Sequence, residues 1–479
     1  MLGWLLGGLW LALLWAWLGA HPSLHADALY LHDLLQSLQA GRGLGGWDLP
    51  PAPSFVPDLG LLALAQGWSE DLVGAQRLYG LLMGLGLWWG LARLLAALLE
   101  WRGADARAFA AAGLLLALPL SPPEGGLAQW VLPGHHGSAF AISLGLAAWG
   151  LGQKTAPSNW GRSAGLGLLL GLALHSDKVL WVWGCLPLGL LALRLNRAGQ
   201  LRVLALLALA GLTAWLVGMG VSATGARGAS LRWSYLESRS PQDWLLVLGQ
   251  LPGLFKAQLA LSAAALATVA LWARPRAQRS SAPRVLLLAW VLVGGLSLIL
   301  AGLAGGLEGR LFYPLLVLPA ALLPAWVAER SEAWERPALL LPSLLALLWM
   351  ATPLGRARQG AEPPIEAQRA LALDAALSDR GLRYGWAAYG QARPLRLFSR
   401  QGTVCAPVSS ADGRIAPLLW TGERGLFMQG DALQRPQFVV SNGLDPAALQ
   451  AQLGTPPEIV TVQDLTVWML LRATPRSKP

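Results

Sequence analysis

Leu2 to Ala20, Val203 to Ala223 and Val285 to Gly306 are apolar stretches without a charged side chain, each about as long as a helix that crosses a lipid bilayer. A helix of roughly 20 mostly apolar residues crosses about 30 Å of hydrocarbon. In lipid a backbone must satisfy its own hydrogen bonds, so such stretches fold as helices or not at all. Less pure blocks of the same kind recur along the chain, and the expected spans are 2–20, 74–99, 107–121, 137–153, 163–175, 178–195, 203–223, 252–273, 285–306, 311–328 and 337–353. That is about eleven transmembrane helices. The first block lacks a basic leading segment and is long for a signal-peptide core, so it reads as a retained span.

Composition agrees with this class. Of 479 residues 54% are hydrophobic and 13% charged, against about 25% charged in soluble domains. The net charge of +10 is not spread as a nucleic-acid surface would need. It sits in clusters between apolar blocks: Arg93, Arg102 and Arg107; Arg194, Arg197 and Arg202; Arg274, Arg276, Arg279 and Arg284. No basic run is interleaved with stacking aromatics, which excludes a nucleic-acid partner. Such clusters mark cytoplasmic loops. They put the N-terminus in the cytoplasm, the C-terminal segment outside, and the protein in a bacterial inner membrane as a multi-pass component of the cell envelope. The same orientation brings all six histidines to the outer face. The 25 Trp residues suit interface belts, and Trp68, Trp101, Trp130, Trp160 and Trp244 stand at block ends. The two cysteines, Cys185 in a span and Cys405 in the tail, form no disulfide framework.

Two domains follow. Residues 1–354 make the membrane domain, with long outer loops at 21–73 and 224–251. Residues 355–479 have the composition of a small periplasmic α/β domain. There a helix is expected over Ala367–Arg380. Strands are expected at Leu395–Phe398, Val404–Val408, Phe438–Ser441, Ile459–Val462 and Thr466–Leu471, with a helix over Asp445–Leu453 opening on Asp-Pro. In the first outer loop a surface helix over Ala26–Ala40 gathers Leu31, Leu34, Leu35 and Leu38 on one face, while His32, Asp33 and Gln36 point away. Both outer loops suit helices lying on the membrane surface. Asp27 falls on the leucine side at the helix start, where it can serve as a general base or as an N-cap. Asp33 is expected in solvent.

Other ionisable groups interrupt the apolar pattern. Pro133-Gly134-His135-His136-Gly137 leads into the fourth span, and neutral imidazole there can contact a phosphate, ligate a metal or cap a helix. Glu124 is the spare carboxylate of that loop. His175-Ser176-Asp177-Lys178 breaks a long apolar run, and charged groups are costly at a helix centre. They are therefore expected to line a polar cavity, or else to close a hairpin in which Asp177 and Lys178 neutralise one another. Arg310, beside Phe312, Tyr313 and Pro314, can hold a phosphate through its planar fork or snorkel to the interface. Lys256 is a second phosphate candidate.

Taken together, the layout resembles the GT-C superfamily of integral-membrane glycosyltransferases, which includes protein O-mannosyltransferases and aminoarabinose transferases. The likeness rests on a first span followed by His25-Ala26-Asp27-Ala28-Leu29-Tyr30 and a long outer loop from Gly41 to Pro57. It rests also on Pro-rich spans, the segment Arg310-Leu311-Phe312-Tyr313-Pro314 and a soluble tail. The resemblance implies a polyprenyl-phosphate sugar donor, a hexosyl or pentosyl transfer to a glycan, lipid or protein acceptor, Asp27 as base and Arg310 as lipid-phosphate ligand. Lys256, His135, His136 and Tyr313 stand as further phosphate or substrate contacts. Many members pair the first acid with a second; here Ala28 follows Asp27, so the partner is Glu124 or Asp177. Some members bind a divalent metal, and the cofactor question stays open. Two other readings fit an outer-face polar cluster on a membrane chain: a lipid or sugar transporter or flippase, and a non-catalytic envelope-polysaccharide assembly protein. The absence of internal repeats weighs against the first.

Overall fold

The computed structural model describes residues 1–228 apart from 23, 70, 100, 102, 121–129 and 154–158, then 263–265, 268, 313–328, 334–358, and 363–470 apart from 412, 420 and 429–435. The chain divides into two compact units. Met1–His21, Pro51–Met219 and Ser230–Gln359 form the first; Pro22–Pro50, Gly220–Ala229 and Gly360–Pro479 form the second.

The first unit is helical. Among the described residues Leu2–Ala20, Leu72–Leu99 and Arg197–Ala223 are long and apolar enough to cross a membrane. Further helices run over Gly103–Leu120, Gly137–Gly152, Trp160–Ser176, Tyr313–Ala328 and Glu335–Arg358. The expected span over 178–195 is a π-turn at Trp181–Cys185 continuing into the helix Leu186–Ala192. The expected spans at 252–273 and 285–306 lie outside the described residues but for 263–265 and 268. Leu72–Leu99 packs against Gly137–Gly152, Gly103–Leu120 and Leu2–Ala20, and Gly103–Leu120 also meets the two helices Tyr313–Ala328 and Glu335–Arg358. Small residues permit this closeness, as membrane helix packing requires: a Cβ at Gly113 would collide with the Ala321 carbonyl. Trp10, Tyr79 and Trp183 are fully buried, whereas Arg197–Ala223 exposes Leu204, Leu212, Trp215 and Leu216, the pattern of a lipid-facing helix. Trp130 is a correction to the belt expectation. It is fully buried and packs on Phe140 with ring centroids 4.2 Å apart.

The second unit is α/β. Its strands, in chain order, are β1 (Trp47–Leu49), β2 (Arg227–Gly228), β3 (Tyr384–Ala388), β4 (Val404–Ala411), β5 (Arg414–Pro417), β6 (Gly422–Glu423), β7 (Phe438–Val440), β8 (Glu458–Val462) and β9 (Leu465–Met469). Six of them form one sheet in the order β5-β4-β3-β7-β9-β8. β3 lies parallel to β4 and to β7, while β5, β8 and β9 pair antiparallel. Side chains alternate across a strand, so Phe438 and Val440 enter one core with Leu373, Leu377 and Leu395 from the helices Ile365–Ser378 and Tyr389–Phe398. Val439 enters the other core, with Trp386, Trp468 and Leu449 from the helix Pro446–Leu453. Both faces are covered, as a sheet with parallel strands requires. Asp445 caps the last of these helices, its carboxylate accepting from the Ala447 amide at 2.9 Å.

Leu395–Phe398 is a correction. It is not a strand but the last turn of the helix Tyr389–Phe398. Four residues with two leucines fit either periodicity, and the parallel crossover from β3 to β4 needs a helix there. The remaining three strands form a small sheet in which β1 pairs parallel with β2 and antiparallel with β6. Arg424 pins it, its Nη2 donating to the Gly45 carbonyl at 2.5 Å and to the Gly225 carbonyl at 2.8 Å.

Candidate functional site

In the first outer loop the helix is shorter than its leucine pattern suggests, spanning Tyr30–Gln39. Residues 26–29 form a turn, closed by the Leu29 amide donating to the His25 carbonyl at 3.2 Å and the Tyr30 amide to the Asp27 carbonyl at 3.3 Å. Asp27 is therefore carried by the turn rather than by a helix face. The residue capping the helix is Leu29, with no side-chain cap, so the N-cap alternative for Asp27 has no counterpart. Asp33 is a second correction. It is not in solvent but 3% exposed, and His32 beside it is fully buried; burial pushes the His32 imidazole down to about 4. A leucine stripe marks one buried face and is silent about a second.

The second face is covered by the helix Tyr389–Phe398, whose Tyr389, Arg393 and Arg396 recur at i, i+4 and i+7 and so share one stripe. Arg393 is 5% exposed. Its Nε donates to Asp33 Oδ2 at 3.2 Å, its Nη1 to the Ala26 carbonyl and its Nη2 to the Thr421 carbonyl. Arg396 donates to the same Asp33 oxygen. The guanidinium thus ties the turn before the helix to the strand end before β6. Tyr389 starts where β3 ends, and its hydroxyl donates to Asp27 Oδ1 at 2.6 Å. Oδ2 has no donor among the described residues. Burial, followed by the Asp27 charge and the bond to it, which Arg393 opposes, holds the Tyr389 phenol above its usual range, so it stays a donor. A small cavity beside these groups is lined by Asp33, Tyr389, Arg393, Arg396, Cys405 and Leu426.

A separate polar cluster lies within the first unit, at the head of Gly137–Gly152. His136 precedes that helix in the left-handed region, φ 65°. Gly137 follows because a Cβ there would collide with the Trp130 carbonyl. His136 Nδ1 lies 2.7 Å from Asp177 Oδ2, and Asp177 Oδ1 accepts from the Val179 amide at 3.0 Å. A carboxylate at Nδ1 keeps a hydrogen on that nitrogen and fixes the ring's orientation. Asp177 therefore pairs with His136 and not with Lys178, which is exposed. Close by, Asp58 is 2% exposed. It accepts from the Tyr79 hydroxyl on Oδ1 and from Ser138 Oγ on Oδ2 at 2.6 Å. Burial raises its carboxyl to about 6, against the pull of Ser138 and Tyr79, with the Asp177 charge adding to the rise and His136 opposing it. The turn carrying Asp58 is tied to the end of Trp160–Ser176, where the Val56 amide donates to Ser176 Oγ at 2.7 Å.

Of the residues singled out by sequence, then, Asp177 and His136 meet in the first unit and His135 is buried there at 3% exposure, while Asp27 belongs to the second. Tyr313 opens the helix Tyr313–Ala328. Glu124, Lys256 and Arg310 lie outside the described residues, as do Arg232, Tyr235, Glu237, Arg239 and Asp243 of the second outer loop. Sequence reasoning missed Tyr389, Arg393, Thr421 and Asp58. The i, i+4, i+7 spacing of Tyr389, Arg393 and Arg396 carried a signal; Asp58, a lone acid in the apolar run Phe55 to Ala65, carried another. Among the described residues no three His, Cys, Asp or Glu side chains converge as a metal would need.

No protein-family model matches the chain, and no curated protein matches it in sequence. Its fold does have solved counterparts. ArnT from Cupriavidus metallidurans bound to undecaprenyl phosphate superposes with a TM-score of 0.60 at 14% identity, covering 98% of this chain and 97% of that one. The apo form of the same protein gives 0.58 at 15% identity, covering 95% and 96%. The likeness therefore runs nearly the full length of both chains, which share one fold.

Proposed function

We propose that this chain is a membrane glycosyltransferase that moves a sugar from a polyprenyl-phosphate donor to an acceptor at the outer face of the bacterial inner membrane. The observation that carries the proposal is the Asp27 carboxylate, one oxygen held by Tyr389 and the other without a donor among the described residues, in a chain whose fold matches, nearly end to end, a protein bound to undecaprenyl phosphate. A base needs an ionised oxygen free to take a proton and a fixed direction from which to take it. Asp27 offers an oxygen with no donor among the described residues and a direction fixed by Tyr389; Asp33 is 3% exposed, and its Oδ2 is taken by two arginines.

The reaction that suits these groups is a displacement at the anomeric carbon. An acceptor hydroxyl gives its proton to Asp27 Oδ2 as its oxygen forms the new bond to the sugar. The bond from the sugar to the phosphate oxygen breaks, and the polyprenyl phosphate leaves with the electron pair. Negative charge grows on that phosphate, so cations placed there lower the barrier. Arg310 and Lys256 are proposed for this role, Arg310 for its bidentate fork. His136, oriented by Asp177, is proposed as a further contact through Nε2.

The experiment uses the purified full-length chain in detergent with a panel of polyprenyl-phosphate sugars and envelope glycan, lipid and protein acceptors. Formation of free polyprenyl phosphate together with a glycosylated acceptor supports the reading. Binding of undecaprenyl phosphate with no transfer from any donor in the panel contradicts it and favours a carrier or an assembly component.

A further inference from the structure

Tyr389 does not act on Asp27 alone. Arg393 Nη2 lies 3.1 Å from Thr421 Oγ1, and Thr421 Oγ1 lies 2.8 Å from the Tyr389 hydroxyl oxygen. A guanidinium only donates, and a threonine hydroxyl has one hydrogen. Arg393 therefore occupies a lone pair of Thr421, and the threonine hydrogen is left for the Tyr389 oxygen. An ionised carboxylate only accepts, so the tyrosine hydrogen goes to Asp27 Oδ1. The chain Arg393 to Thr421 to Tyr389 to Asp27 can run in one direction only. Each bond polarises the next, and the series starts on a cation and ends on an anion.

The backbone supports the same conclusion. Thr421 sits at φ 52°, a region that β-branched residues avoid. Its neighbours hold it there from both sides, since Arg393 takes the Thr421 carbonyl as well as the hydroxyl. Strain of this kind persists where surrounding contacts over-determine a residue. Arg393 in turn is fixed by Asp33 Oδ2 and the Ala26 carbonyl, the residue before Asp27. Its charge also lies over the Tyr389 ring, 5.6 Å from the centroid. One guanidinium thus anchors the backbone of the acid and the hydroxyl that holds it.

We propose that Tyr389, oriented by Thr421 and Arg393, is a positioning residue for Asp27, assigning Oδ1 to the protein and leaving Oδ2 for the proton of an acceptor hydroxyl. This rests on the reading of Asp27 as the base, and it extends that reading by giving the C-terminal unit a part in the chemistry. Neither Tyr389 nor Thr421 touches the reacting atoms; they act through Asp27.

The test needs a readout that simple destabilisation leaves alone. Infrared difference spectra of the full-length chain in detergent identify the Asp27 carboxylate stretch as the band lost in Asp27→Asn. That band shifts in Tyr389→Phe, which keeps the ring and removes the donor, and shifts less in Thr421→Val, which keeps the branched shape. It keeps its wild-type position in Thr421→Ser, which restores the hydroxyl. In transfer assays with the donor found active, Tyr389→Phe lowers kcat about 10- to 100-fold, the range of one charge-assisted hydrogen bond, with KM unchanged. An unmoved band in Tyr389→Phe and Thr421→Val overturns the inference; should Tyr389→Phe fail to fold, Thr421→Val against Thr421→Ser decides it. A shifted band combined with wild-type transfer in Asp27→Asn keeps the hydrogen-bond chain and removes the base assignment, so the two fail separately.

Discussion

Arg393 and Asp33 form a buried ion pair, Nε to Oδ2 at 3.2 Å, with their side chains 6% and 5% exposed. Removing one partner of such a pair leaves an uncompensated charge in a poorly solvated place, a loss of about 3–5 kcal/mol. Asp33→Ala leaves two, because Arg396 shares the same oxygen. The variant is expected to melt well below the wild type in detergent, whereas Asp33→Asn, which keeps an acceptor, loses less. Equal melting temperatures for Asp33→Ala and the wild type would show that the pair is solvated.

Asp58 predicts a pH dependence of stability. Its carboxyl is raised from 3.8 to about 6, first by burial. The folded chain therefore keeps this proton through a window in which the unfolded chain has lost it. Stability from this group falls as pH rises from about 4 to about 6, and the full cost, on the order of 3 kcal/mol, applies above that. Asp58→Asn removes the titration. The difference in melting temperature between the variant and the wild type is expected to move in the variant's favour between pH 5 and pH 7.5. A difference that does not change with pH refutes the raised value.

How much of this was legible in the sequence follows from what periodicity records. Long apolar runs such as Leu2–Ala20 admit one structure in lipid, so the helices Leu2–Ala20, Leu72–Leu99 and Gly137–Gly152 fall within a few residues of expectation. Strands β4, β7, β8 and β9 were legible for a related reason, as short β-branched runs between turn residues. Strand β3, Tyr-Gly-Trp-Ala-Ala, was not, because its glycine and alanines carry no β signal. Gly385 is required instead by Phe438 packed against it. Asp27 stood out as an acid next to a span. Tyr389, 362 positions away, could not be joined to it without the fold. Asp33 was misplaced because a leucine stripe describes one helix face and the buried ion pair lies on another.

The arginine clusters predict the orientation in the membrane. Reporter fusions after Gln200 and after Arg400 should read cytoplasm and periplasm respectively. The same compartment at both positions contradicts the orientation, and with it the outer-face reaction.

Arg310 is expected to hold the lipid phosphate. Arg310→Ala should weaken binding of undecaprenyl phosphate, and Arg310→Lys should recover part of it, since a point charge replaces a planar fork. Thermal stabilisation by added lipid, compared across the three proteins, measures this. Identical lipid responses reduce Arg310 to an interface residue.

Asp27 is proposed to take the acceptor's proton. Asp27→Asn keeps the side-chain shape and an acceptor for Tyr389 but removes the basic oxygen. General-base contributions are typically 10²–10⁴ in rate. The deciding measurement is the rate of sugar transfer from the lipid donor by Asp27→Asn, at expression and melting temperature matched to the wild type. A fall of about 10²- to 10⁴-fold with lipid binding retained is expected; transfer at the wild-type rate contradicts the base assignment.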